Sequence, residues 1–297
     1  MPTTAPITSS SPTSRIRLSL TLLLAVLTST AHAQGAQSAP GTKPATQSAS
    51  LRIGPDGGYM KNDGRSLVIV FVHGFSGDPA TAWRCDDTHD WPAMIAADQS
   101  AAFADADVYL LGYAPPPRRG KTSLADLEAS IVDRMENAGV FSRHKHVVFV
   151  AQSMGGLLIQ QILLTNSDKD WTKKVRAVFL YGTPQGSNKL AGLSRYIDSD
   201  PRFKDLESAG NNFILHPGDP QWTGTPHFCA YETQSDDTFT ALDYSGSTRG
   251  CTDLLAVHAK HADIAQPCDT GSASYTFLED KLRYLEAQDE AAPAASR

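Results

Sequence analysis

Short, uniformly apolar runs recur along the middle of the chain, and between them the apolar positions fall into helical spacing. Leu67–Val72 reads LVIVFV. A strand covered on both faces has that composition, whereas a half-exposed strand alternates apolar with polar. Val108–Tyr113, His146–Val150, Ala177–Tyr181 and His227–Tyr231 are further predicted strands. Thr122–Asn137 changes period. Leu124, Leu127, Ile131 and Met135 share one helical face, Thr122 or Ser123 caps the start, and Gly139 stops it. Leu157–Leu164 reads as an apolar helix, and Tyr275, Leu278, Leu282 and Leu285 line one face of a closing helix. Strands alternating with helices predict an α/β fold: a mostly parallel sheet, flanked by helices, with right-handed crossovers.

From Pro184 to Pro226 the alternation stops. Leu190, Leu193 and Ile197 predict one amphipathic helix there, and Gly and Pro punctuate the rest. A stretch that long is expected to form a cap or lid over a site, with Phe203, Leu206, Phe213, Ile214 and Leu215 as its apolar lining or its own small core.

The ends of the chain read differently. Arg15 and Arg17 precede the apolar run Leu18–Leu27, and Ala31-His32-Ala33 follows. Charge, apolar run and small-x-small site are the parts of a secretory signal peptide, residues 1–33, with cleavage expected after Ala33. The run is too short for a transmembrane anchor. Residues 34–50, rich in Ala, Ser, Thr, Pro, Gln and Gly, read as a flexible linker. The folded domain is expected over 51–287, with a disordered tail at 288–297. The expected location is therefore secreted or periplasmic.

Composition changes this picture in two respects. The 297 residues are 41% hydrophobic with a formal net charge of −6, enough apolar material for a sizeable core and no basic stripe for nucleic acid. The four cysteines, Cys85, Cys229, Cys251 and Cys268, form an even set in an exported chain, so two disulfides are expected, with three pairings open. No C-x-x-C spacing occurs. His258, His261, Asp263 and Cys268 cluster in sequence, but no further ligand set converges on them, and no metal is expected. Gly120-Lys121-Thr122 ends like a phosphate-binding loop. Pro115–Pro117 stand where such a loop supplies backbone donors, which excludes that reading.

The chemistry centres on Ser153, in HVVFVAQSMGG (His146–Gly156). The serine lies between an apolar strand and a helix starting at about Met154, so its hydroxyl is lifted above the sheet edge. The Met154 N–H then sits at a helix N-terminus, where donors are free and negative charge is favoured. Small residues are needed beside a strained, crowded serine, and Ala151 and Gly155 take those places, giving A-x-S-x-G where G-x-S-x-G is usual. The first strand ends in His73-Gly74-Phe75, and the Phe75 N–H is a second candidate donor to an oxyanion. His73 precedes Ser153 in the chain and is expected to be structural rather than a base.

VFVHGFSG (Val70–Gly77), AQSMGG (Ala151–Gly156), YGTPQGS (Tyr181–Ser187) and HADIAQP (His261–Pro267) resemble the α/β-hydrolase superfamily. GDPATAW, DWP and LGYAPP resemble its serine-active-site-containing and GPI-inositol-deacylase-like lipase and esterase branch. The resemblance covers about Arg65 to Leu285. It implies a serine nucleophile, no cofactor, and a small-molecule or lipid ester as substrate. It also implies a late histidine base and an acid after the fifth strand. His261 fits the H-x-x-I-x-x-P pattern, with His258 as its neighbour, and Glu232 sits at a Tyr-Glu-Thr step. Asp236, Asp237 and Asp253 are alternative acids. A rival reading is a catalytically inactive hydrolase fold that binds a lipid or protein partner.

Overall fold

The computed structural model describes residues 53–74, 77–113, 123–184, 224–235 and 250–291. The expected signal peptide and linker, almost all of the cap and the last residues of the tail lie outside these. Seven described strands form one sheet in the order β1-β3-β2-β4-β5-β6-β7. They are β1 (Gly57–Lys61), β2 (Leu67–Val72), β3 (Ala106–Leu111), β4 (His146–Gln152), β5 (Val175–Tyr181), β6 (His227–Glu232) and β7 (Asp253–Val257). β1 pairs antiparallel with β3, and every other neighbouring pair is parallel.

The uniform apolar runs follow from burial on both faces. Val68, Val70 and Val72 of β2 enter one core, with α3 (Leu124–Asn137), α4 (Val140–Arg143) and α5 (Met154–Thr165). Leu67, Ile69 and Phe71 enter the other, with α1 (Trp91–Ala97), α2 (Ala101–Ala104) and α6 (Ala273–Ala291). Ser123 caps α3 through a reciprocal box with Asp126. Asp90 caps α1, whose second residue is Pro92, a position where a missing N–H costs nothing.

Several elements depart from the pattern-based expectation. β3 begins and ends two residues earlier than Val108–Tyr113. Its second residue, Asp107, is fully buried and accepts backbone N–H bonds from Asp63, Gly64 and Arg65, so a polar residue sits inside the strand. β1, β7, α1 and α2 were not anticipated: GGYMK and DLLAV lie at the sheet's two edges, where apolar runs are short. The closing helix runs to Ala291, four residues into the stretch read as tail. Its last turns consist of helix-favouring Ala, Glu and Gln, and Asp289 within them pairs with Arg176 of β5 at 2.5 Å.

The cysteines pair as Cys85–Cys268 and Cys229–Cys251. Among the described residues, no helix is long and apolar enough to cross a membrane.

Candidate active site

The carboxyl ends of β2, β4, β5 and β6 converge on Ser153. This residue links β4 to α5 at φ 51° and ψ −124°, and it is the one described non-glycine residue with positive φ. Such strain persists only where surroundings over-determine it. Three contacts do so. The Ser153 N–H donates to Tyr181 O of β5 at 2.9 Å. A Cβ on Gly155 would lie 2.4 Å from His73 O and 2.5 Å from Val72 O, so α5 starts directly against the end of β2. A Cβ on Gly156 would lie 2.1 Å from Thr183 Oγ1, which brings the same turn against the end of β5. The two glycines after the serine are thus required by close approach to two strands. Tyr181 is held in turn by Trp91 edge-on at 5.0 Å, with Phe71 and Trp83 behind it, and by its hydroxyl donating to Ser274 O.

His261 and Glu232 meet this serine. His261 Nε2 lies 2.9 Å from Ser153 Oγ, and His261 Nδ1 lies 2.8 Å from Glu232 Oε1. All three side chains are buried: Ser153 is 5%, His261 7% and Glu232 1% exposed. With Nδ1 donating to the carboxylate, Nε2 presents its lone pair to the serine hydroxyl, the polarity a general base requires. Gly182, φ +59°, closes the gap from β5. A Cβ there would lie 3.1 Å from Glu232 Oε2 and 3.2 Å from His261 Nδ1 and Cε1. Glu232 ends β6 opposite Val257 of β7, and His261 follows β7 by four residues.

The His261 loop is anchored on both flanks, and before the histidine the Gln234 N–H donates to Ala259 O at 3.1 Å. Ser274 Oγ donates to Ile264 O at 2.6 Å, Gln266 Nε2 donates to Ala82 O at 3.0 Å, and Cys268 is bonded to Cys85.

Other residues singled out in the sequence fall elsewhere. The Met154 N–H opens α5, at a position whose donors lack intrahelical acceptors. Phe75, Asp236 and Asp237 lie outside the described residues. Asp253 starts β7 at the far end from Glu232 and pairs with Lys281. His258 is exposed, with its Nε2 2.7 Å from Gln234 Nε2. His73 is fully buried. Its Nδ1–H donates to Gly74 O at 2.8 Å, and its ring stacks on Tyr113 at 4.3 Å. Tyr113 OH donates to His73 O at 2.6 Å. Burial holds the His73 pKa below its usual value, which suits a neutral ring bracing the loop. Tyr113 and Gln152 carry contacts that the sequence did not single out. Tyr113 lay within the quoted LGYAPP, and Gln152 within the serine motif, so the motifs held the signal without the role.

Comparison with known proteins follows the same lines. The family model described as alpha/beta hydrolase family matches residues 69–296. Protein SERAC1 of Danio rerio is 29% identical over 260 residues, covering 72% of this chain and 39% of that protein. Protein SERAC1 of Homo sapiens is 26% identical over 156 residues, covering 43% of this chain and 24% of that protein. The chain therefore spans well under half the length of either relative. The crystal structure of the lipase BlEst2 from Bacillus licheniformis in its mature form superposes with a TM-score of 0.52 at 18% identity, covering 75% of this chain and 94% of that one, a likeness of fold.

Proposed function

Since the chain belongs to the alpha/beta hydrolase family, we propose that it is an exported serine hydrolase that cleaves carboxylic esters through an acyl-enzyme. The observation that carries this reading is the hydrogen-bonded series from Ser153 Oγ to His261 Nε2 and from His261 Nδ1 to Glu232 Oε1. In this mechanism the imidazole takes the Ser153 proton as Oγ attacks the ester carbonyl carbon. Glu232 holds the ring in the right tautomer and stabilises it once charged. The oxyanion is bound by the Met154 N–H and by that of Phe75. The tetrahedral intermediate then breaks its bond to the alcohol oxygen, which takes the proton back from His261. Water, deprotonated by the same ring, attacks the acyl-serine, and the bond to Ser153 Oγ breaks as Oγ takes the proton back from His261, releasing the acid. The 184–226 insertion is the proposed cap over the acyl group. Export after Ala33 fits the two disulfides, which persist in oxidising compartments.

Ser153→Ala should fold as wild type by circular dichroism and lose hydrolysis of short p-nitrophenyl esters, by up to about 10^6-fold in triads of this kind. Equal rates for the two proteins would overturn the assignment. A wild type with no hydrolysis across acyl lengths would favour a binding role for this fold.

A further inference from the structure

Gln152 is the last residue of β4, immediately before Ser153, and is half-buried. Its Nε2 donates to His261 O at 3.2 Å and reaches Ala262 O at 3.4 Å. Two carbonyls can only accept, so the amide nitrogen must face them. Its Oε1 turns the other way and lies 3.5 Å from the position a Cβ on Gly74 would take. Gly74 belongs to the loop after β2, where a Cβ would also lie 3.2 Å from Ser153 Cβ. The carboxamide therefore spans from the loop beside the serine to the peptide that carries the imidazole.

We propose that Gln152 is a positioning residue that clamps the His261–Ala262 backbone to the serine turn and so fixes the imidazole at hydrogen-bonding distance from Ser153. This rests on the serine-hydrolase reading above. The other anchors of the His261 loop attach it to the segment after β6 through Gln234, to α6 through Ser274, and to the segment before α1 through Ala82 and Cys85. None of these ties it to β4. Gln152 ties the loop backbone to the end of β4 through His261 O and Ala262 O, and the nucleophile is the next residue. A displacement of the base by about 1 Å is enough to slow a reaction of this kind by about 100-fold. A clamp adjacent to the nucleophile holds base and nucleophile in one frame, so movements of the loop carry less into their separation.

The test compares Gln152→Met, Gln152→Glu and Gln266→Met with wild type. Met keeps length and removes the donor. Glu puts carboxylate oxygens against two carbonyls. Gln266→Met removes the other amide-to-carbonyl bond of the same loop, five residues beyond His261. Each variant is assayed for kcat and KM on a short p-nitrophenyl ester, and crystal structures of wild type and Gln152→Met are compared. The expected result is a 10- to 100-fold fall in kcat for Gln152→Met with KM within about twofold, and a larger fall for Gln152→Glu. Gln266→Met should lose far less. In the crystal the imidazole of Gln152→Met should leave Ser153 Oγ, although the serine turn is unchanged. Wild-type kcat in Gln152→Met, an equal fall in Gln266→Met, or an unmoved imidazole would each overturn the clamp. A wild type with no ester hydrolysis would instead count against the serine-hydrolase reading. The crystal comparison would still decide the clamp.

Discussion

Gly182 holds the closest quarters at the site. Its φ of +59° is a region that L-residues enter at a cost of about 1–2 kcal/mol. The Cβ of an alanine would stand 3.1 Å from the Glu232 carboxylate and 3.2 Å from the His261 ring. Both effects act in the same direction, and neither neighbour can retreat, because the carboxylate and ring are buried and bonded to each other. Gly182→Ala is expected to cost about 1–2 kcal/mol in urea unfolding. It should also lower kcat by about 100-fold, by spreading the acid from the base. Wild-type kcat in a folded Gly182→Ala protein would show that this spacing does not matter. The residue scale is also where the sequence was most informative. Ser153 could be singled out because its neighbours are constrained for steric reasons, whereas His261 and Glu232 came from the family resemblance, with Asp236 and Asp237 left open as the acid. The supports were not legible. A glutamine before a serine, or a tyrosine at a strand's end, has no spacing that tells whose carbonyl it will reach across a hundred residues.

At the scale of elements, α5 shows how packing reverses a local preference. Glycine inside a helix is less favourable than alanine by about 1 kcal/mol, so Gly155→Ala would stabilise an isolated helix. Here the added carbon would meet the backbone oxygens of His73 and Val72, at the end of β2, at 2.4 and 2.5 Å, atoms that cannot rotate away. Overpacking of this kind costs about 1–3 kcal/mol, more than propensity returns. Gly155→Ala is therefore expected to lower stability in chemical denaturation and to reduce activity, since α5 can yield only by moving the Ser153 turn. A more stable Gly155→Ala protein would contradict the contact. The same balance explains what the apolar pattern revealed. Central strands, buried on both faces, announced themselves as unbroken apolar runs. The edge strands β1 and β7 did not, because an edge needs fewer apolar residues and takes its register from its neighbour.

For the whole molecule, the two-sided core carries a pH signature. His73 and His227 are buried with pKa values held down by desolvation, His227 to about 4. The unfolded chain takes up protons on these rings as pH falls below about 6.5, whereas the folded chain does not. Stability must then fall as pH drops from about 6.5 towards 4, and their contribution levels off below that. His227 alone should account for about 2 kcal/mol between pH 7 and 5. Urea midpoints measured at pH 7 and pH 5 check this. His227→Gln should flatten the difference, and an equal drop in that variant would assign the effect elsewhere. Fold class was legible at this scale because the alternation of buried strands with helices leaves few architectures. The disulfide pairing was not, because four cysteines permit three pairings and only the assembled sheet brings Cys85 to Cys268.

The central claim is that Ser153 is a nucleophile activated by His261. Treating the folded protein with a fluorophosphonate probe and mapping the adduct by mass spectrometry tests it without prior choice of substrate. The account predicts a single adduct on Ser153, absent in Ser153→Ala and formed far more slowly in His261→Ala. An unlabelled wild type, or the same labelling in Ser153→Ala, would contradict it.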